Sequence, residues 1–465
     1  VSVRREEDGD RVSEQRVSHL RKIGAVRLLS LIGNSAAAVC VFAAVVAGCT
    51  SPSLTRSLDG DASGSSPAEQ SAPSAPRFTA GGPDAEDYGA SVGYPIGDRS
   101  TYFQVSFLVG SHSHLDQIFE GRVIRRAPAP SRLARVTSEP ELRYEFGGET
   151  HTLDDYLARN PTTGLLVARG DTILIERYQY GRNDRHRFTS WSMAKTVTSM
   201  LVGIAIAEGH IRSVDDPASA YVPALRGTEY GGTSIRHLLQ MSSGVLFVEQ
   251  YTGRDDVSRL VADTFRQVGT GGADAVTPFN ERVRPSGTLF SYASVETQVL
   301  GLVLRGAVGR PVADYMHEKI WAPIGAEADA TWLIDRSGQE ATFCCINAVL
   351  RDYARLGLLL AHDGGWRGRR IIPAAWIEDA TRVAPDQAHL RPGIATGFFG
   401  YGYQVWIFPG ERRMFAFLGV RGQAIFVDPA SRLVMVHTAV RKQPVDPGGR
   451  EAVALWRSIA RELGG

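Results

Sequence analysis

Two short apolar runs, Gly164-Leu-Leu-Val-Ala-Arg169 and Thr172-Ile-Leu-Ile-Glu-Arg-Tyr178, are separated only by Gly170-Asp171. Strand-length runs of branched residues around such a pair predict a β-hairpin. From Met193 to Glu208 the apolar residues recur with a helical period, which predicts a helix. Near the C-terminus, Gln423 to Val427 and Leu433 to Thr438, split by Asp428-Pro429, predict a second hairpin, and Glu451 to Leu463 a closing helix. Tyr102 to Val109 reads as a short strand in an otherwise mixed stretch. Strands at both ends with mostly helix between them predict an α+β fold whose two ends meet in one antiparallel sheet.

The first part of the chain follows neither period. Leu28 to Gly48 is 21 residues without a charge, preceded by Arg21, Lys22 and Arg27. A basic segment followed by an apolar one has the pattern of an export signal. It ends Val46-Ala47-Gly48-Cys49, which resembles a bacterial lipobox, so lipidation at Cys49 is expected. The membrane would then be a partner through that anchor, on the outer face of the cell. A single-pass anchor is the alternative, because such a stretch can just span a bilayer. Charged residues precede the segment and the chain opens on valine, so a translation start near Val17 is expected. Residues 50–83 are rich in Ser, Pro, Ala and Gly and read as a disordered tether.

Composition narrows the function. With 51 basic and 50 acidic residues the net charge is +1, which excludes a polybasic nucleic-acid binder. Only four basic residues are lysines (Lys22, Lys195, Lys319 and Lys442), so each one invites a question. Four cysteines imply no disulfide framework. The adjacent Cys344 and Cys345 read as small core residues. Two local motifs lack their context. Gly89-Ala90-Ser91-Val92-Gly93 matches G-x-S-x-G but has no strand before it and no helix after it. His112-Ser113-His114-Leu115-Asp116 opens like a zinc site, yet Gln117 follows and no later cluster completes a shell. These histidines read as packing or surface residues, and neither metal nor cofactor is expected.

Ser192 opens the predicted helix and Lys195 follows three residues later, so both side chains share a face. Free N–H groups and a positive dipole end favour developing negative charge there. A desolvated lysine can lose its proton and act as base on the serine hydroxyl. S-x-x-K alone is a weak signal, but the apolar run after Lys195 should bury this turn. Tyr292, about a hundred residues on in Phe290-Ser-Tyr292-Ala-Ser294, is a candidate second proton carrier.

S-x-x-K, Tyr-Ala-Ser, His237-Leu-Leu-Gln-Met-Ser-Ser-Gly244 and Leu350-Arg-Asp-Tyr-Ala-Arg-Leu-Gly-Leu-Leu-Leu360 together resemble the serine β-lactamase and penicillin-binding protein superfamily. Val109 to Phe119 with Arg125-Arg126, and Leu418-Gly-Val-Arg-Gly-Gln423, are similar to the 6-aminohexanoate-dimer hydrolases, relatives of family VIII carboxylesterases. The resemblance implies a β-lactamase/transpeptidase-like fold with a helical subdomain. Four segments are then expected: an extension with lipoprotein signal (1–48), the tether (49–87), an extension packing on the catalytic domain (88–144) and the hydrolase (145–465).

By that resemblance Ser192 is the nucleophile, Lys195 its base and Tyr292 the acid that protonates the leaving group. The N–H groups of Ser192 and Val420 form the oxyanion hole. Tyr251, Arg421, Ser294 and Phe343 fall where substrate is bound, Arg421 offering a cation to a carboxylate. Departures bear on specificity. Ser294 replaces the usual Asn, no Lys-Thr-Gly stands on the expected strand, and Phe343-Cys344-Cys345 replaces an amide-bearing residue followed by Gly-Gly. A carboxylesterase or aminohexanoate-oligomer-like amidase is therefore expected ahead of a β-lactamase. A cell-wall D-Ala-peptidase and a catalytically silent envelope lipoprotein are the alternatives.

Overall fold

A computed structural model describes residues 72–445 and 448–464. Cys49, the apolar segment before it and most of the expected tether lie outside the described residues. The central sheet has nine strands: β1 (Arg77–Phe78), β2 (Ala134–Arg135), β3 (Thr162–Arg169), β4 (Thr172–Tyr178), β5 (Gly400–Tyr401), β6 (Trp406–Ile407), β7 (Phe415–Gly419), β8 (Gln423–Asp428) and β9 (Leu433–Ala439). Their order is β1-β4-β3-β9-β8-β7-β6-β5, with β2 also pairing with β4.

Both predicted hairpins are present. β3 and β4 turn through Gly170-Asp171 with Arg169 opposite Thr172, and Gly170 takes the left-handed φ of +64° that this tight turn needs. β9 pairs antiparallel with β3, so the two ends of the region do close one sheet. From β3 through to β5 every pairing is antiparallel, whereas β1 and β2 join β4 in parallel. The sheet thus takes in strands from ahead of residue 145. It starts before residue 88 too, so the stretch expected to be tether contributes a strand at 77–78.

β3 is apolar on both faces because both are covered. Leu165 and Val167 pack with Phe426, Met435 and Trp456 of α5 (Gly448–Glu462), while Leu166 and Ala168 join the larger core on the other face. That core holds α1 (Ala194–Ala207), α3 (Ser294–Val308) and α4 (Leu350–Ala361), and α2 (Asp256–Asp263) lies at its edge. In α1 every side chain from Ala194 to Ala205 is buried, the signature of a helix surrounded by protein.

Tyr102 to Val109 is not a strand. It forms a short helical turn at Val105–Phe107 leading into a helix at Leu108–His112. Leu108 and Val109 both point into a small core with Tyr88 and Tyr180, which consecutive residues of a strand cannot do. His112 is buried against Phe103 and Trp191, and burial pushes its pKa down to about 3. Ser91 sits exposed on a single helical turn, without the geometry of a nucleophile elbow. No helix among the described residues is long and apolar enough to cross a membrane.

A second, four-stranded antiparallel sheet runs Gly121–Ile124, Ala330–Leu333, Ile346–Ala348, Phe188–Thr189. Its last strand leads directly into the turn that carries Ser192, and residues 343–345 enter its third, so this small sheet anchors two separate pieces of chain side by side.

Candidate active site

Ser190 fixes the turn between the strand Phe188–Thr189 and α1. Its N–H donates to the Ile346 carbonyl at 2.7 Å, and its hydroxyl oxygen accepts from the Ile346 N–H at 3.0 Å. Trp191 then takes φ +42°, a left-handed conformation that costs a bulky residue about 1–3 kcal/mol. Packing holds it there: the indole stacks on Phe103 at 5.2 Å and is buried. Ser192 is thereby presented at the N-terminal end of α1, facing open space and the positive end of the helix.

Lys195, one turn on, is 2% exposed. Its Nζ donates to Ser192 Oγ at 2.9 Å, Ser294 Oγ at 3.0 Å and the Phe343 carbonyl at 2.9 Å. All three acceptors are neutral oxygens. By contrast Lys319 pairs with Glu208 and Glu318, and Lys442 with Asp84 and Asp87. Burial, with no carboxylate in contact among the described residues, brings the Lys195 pKa down from 10.5 to about 8, against an opposing pull from the Glu249 charge.

Tyr292 stands just ahead of α3. Its ring lies 5.0 Å from Lys195 Nζ and stacks on Trp406 at 5.4 Å. Burial, with Glu249 second, holds its phenol far above the usual range, and a hydrogen bond with Ser192 draws it part of the way back. Ser294, the first residue of α3, keeps contact with Lys195 although the amide expected at that position is absent.

Sequence patterns do not single out Glu249, because a loop glutamate carries no local signature. Its Oε1 accepts from Ser294 Oγ at 2.8 Å and from the Tyr251 hydroxyl at 2.7 Å, and its Oε2 accepts from the Ser294 N–H at 2.7 Å. Tyr251 lines the cleft beside it with φ +57°.

The far wall is the end of β7. A methyl group on Gly419 would lie 3.1 Å from Ser192 N and 2.6 Å from the Ser190 carbonyl oxygen, so only glycine lets the strand run this close. Val420 follows and borders the cleft with Ser192. Arg421 has φ +61° and is buried. Its Nη1 donates to the Arg441 and Lys442 carbonyls at 2.7 Å each, its guanidinium lies over Phe103, and its Nε has no hydrogen-bond partner among the described residues.

Phe343 supplies a carbonyl to Lys195 and a ring 5.6 Å from Nζ. Cys344 and Cys345 are buried, as small core residues should be, but they are also joined to each other in a disulfide. The expectation of no disulfide is corrected here. Cys345 adopts φ +73°, a local chain reversal that composition and spacing do not reveal.

Two cavities meet at Ser192. One, of about 550 Å³, is bordered by Trp191, Arg254, Arg259, Phe343, Cys344 and Arg421. The other, of about 410 Å³, is bordered by Tyr292, Phe399, Trp406, Leu418 and Val453. Glu249, Tyr251 and Val420 line both. A serine under a buried amine, between two concavities, is arranged for attack on a bond whose halves lie on either side.

A family model described as β-lactamase matches residues 150–457, which include Ser192, Lys195, Glu249, Tyr292, Ser294 and Val420. The chain belongs to the β-lactamase family. It is similar to the 6-aminohexanoate-dimer hydrolase of Paenarthrobacter ureafaciens, 27% identical over 326 residues, covering 68% of this chain and 82% of that protein. Among solved structures, a candidate 6-aminohexanoate-dimer hydrolase from Bacillus anthracis superposes with a TM-score of 0.72 at 23% identity, covering 79% of this chain and 97% of the other. A family VIII carboxylesterase gives a TM-score of 0.51 at 18% identity, covering 65% and 93%. These last two show the β-lactamase-like fold, which is the α+β architecture expected from the sequence.

Proposed function

We propose that this chain cleaves small ester or amide bonds through an acyl-enzyme on Ser192. The observation that carries the reading is the buried Lys195 amine, 2.9 Å from Ser192 Oγ with a pKa of about 8. At pH 7 about a tenth of such an amine is neutral, whereas a phenol as elevated as Tyr292 is essentially never ionised. Lys195 is therefore the base and Tyr292 the donor. The Ser192 oxygen attacks the carbonyl carbon while its proton passes to Lys195; Tyr292 hands a proton to the departing alcohol or amine, and Lys195 passes the serine proton on to Tyr292, so the phenol is restored as the leaving group departs. Water then releases the acyl group by the reverse transfer. The N–H groups of Ser192 and Val420 receive the oxyanion.

Tyr292 lines only the smaller, aromatic cavity, so the leaving half lies there and the acyl half lies in the larger one. Arg421, without an acidic partner among the described residues, suits a carboxylate on the acyl side. The name of the Paenarthrobacter relative supports linear amides, while the disulfide-bonded Cys344-Cys345 beside Phe343 gives this site its own wall.

The test is a burst experiment with p-nitrophenyl butyrate followed by intact-mass detection of the acyl adduct. Wild type should show a burst and a single butyryl adduct, and Ser192→Ala neither. A burst that survives in Ser192→Ala overturns the assignment. Covalent labelling by a fluorescent penicillin with no ester burst would move the reading to a cell-wall peptidase.

A further inference from the structure

We propose that Glu249 is a positioning residue that aims the Lys195 lone pair at Ser192 by fixing the direction of the Ser294 hydroxyl. The inference rests on the reading of Lys195 as the base.

Hydrogen-bond direction decides it. The Ser294 hydroxyl touches two groups, Glu249 Oε1 at 2.8 Å and Lys195 Nζ at 3.0 Å, and it has one proton. A carboxylate can only accept, so that proton goes to Glu249, and Ser294 Oγ must accept from Lys195. The Phe343 carbonyl, 2.9 Å from Nζ, can also only accept. A neutral amine has two N–H bonds and one lone pair. Both N–H bonds are thus committed to Ser294 and Phe343, and the lone pair is left facing Ser192 Oγ at 2.9 Å. That is the orientation in which the amine can take the serine proton.

Without Glu249, the Ser294 hydroxyl could turn and donate to Lys195, competing with Ser192 for the same lone pair. An amide at residue 294 would present a carbonyl that always accepts. A hydroxyl is ambiguous, and its use here creates the need for a fixed acceptor. Glu249 is itself held: the Tyr251 hydroxyl donates to Oε1 and the Ser294 N–H to Oε2. A carboxylate bound at both oxygens has little freedom to release Ser294.

The same charge works against base strength, because it raises the Lys195 pKa that burial lowers. Beside Lys195, the titratable groups that feel Glu249 are Tyr251, Tyr292 and Tyr401, all held high by burial. Asp255 acts on Tyr251 as well, and its carboxylate caps α2. Removing the Glu249 charge should therefore make the amine easier to deprotonate and yet slow the reaction. A residue that merely braced the loop would not produce that combination.

The experiment measures single-turnover acylation by p-nitrophenyl butyrate from about pH 5.5 to 10 for wild type, Glu249→Gln, Ser294→Ala and the double variant. In Glu249→Gln the plateau rate should fall roughly 10- to 100-fold while the acid limb moves to lower pH. Ser294→Ala should lose a similar factor without that downward shift. The double variant should be no slower than the slower single one, within about twofold, because the two residues act in series. A limb that stays in place in Glu249→Gln, or losses that multiply in the double variant, overturns the proposal while leaving the acyl-enzyme intact. If Glu249→Gln fails to fold, Ser294→Ala decides: an undiminished acylation rate overturns the proposal. Absence of any burst in wild type overturns the hydrolase reading itself, and this inference with it.

Discussion

Lys195 carries two opposed consequences of one placement. Burial keeps part of the amine neutral at neutral pH, which a base requires, and it penalises the fold for holding an ammonium away from water. Activity should follow the first. The acid limb of kcat/KM is expected near pH 8, with activity rising as pH rises through it, and Lys195→Arg should show no burst because a guanidinium cannot give up its proton. Stability should follow the second. The folded pKa of about 8 lies below the unfolded value of 10.5, so the unfolded chain binds more protons between these limits. The penalty is then complete below pH 8, at about 3 kcal/mol, shrinks between pH 8 and 10.5, and vanishes above. Lys195→Met, followed by urea denaturation at several pH values, should be more stable than wild type at about pH 7 and lose that advantage by pH 10.5. A constant difference across the range would contradict the assignment of cost to charge burial.

At the scale of elements, the site is a junction of three ends: the start of α1, the start of α3 and the end of β7. None could be assembled from its own sequence. The S-x-x-K turn is legible because its two residues lie three apart in one continuous helical run, the turn Trp191–Met193 leading straight into α1, where spacing alone sets the face. Tyr292 is a candidate from its chemistry and its loop position, Val420 is placed only by resemblance, and Glu249 carries no signal, because their relation to Ser192 depends on how distant segments pack. Gly419 shows how closely these ends fit. Gly419→Ala would put a methyl group 2.6 Å from the Ser190 carbonyl oxygen and 3.1 Å from the Ser192 nitrogen, so β7 or the turn must move. The expected outcome is a fall in the acylation rate of about 100- to 1,000-fold, as for loss of one oxyanion donor, with KM changed much less. Steady-state kinetics beside an unchanged circular dichroism spectrum would check it.

Across the molecule, the described residues from 77 to 135 are structural. β1 and β2 extend the central sheet, Gly121–Ile124 edges the second sheet, and Phe103 stacks on Trp191 beside the nucleophile. Leu108, Val109, Leu115, Phe119 and Ile124 are all buried. At about 1.5–3 kcal/mol each, losing them removes roughly 10 kcal/mol, comparable to the whole stability of a typical domain. A chain that begins at residue 145 is therefore expected to be unfolded and inactive, which thermal denaturation and ester turnover would show. The sequence by itself determined the two hairpins, the buried first helix and the pairing of Ser192 with Lys195. Each follows from periodicity, turn chemistry or one turn of helix, interactions between residues near in the chain. Only the tertiary structure decided that residues 77–78 join the sheet, that Cys344 and Cys345 are bonded, and that Glu249 meets Ser294. Those outcomes turn on which surfaces are covered and which local chain reversals packing stabilises, and no local pattern encodes either.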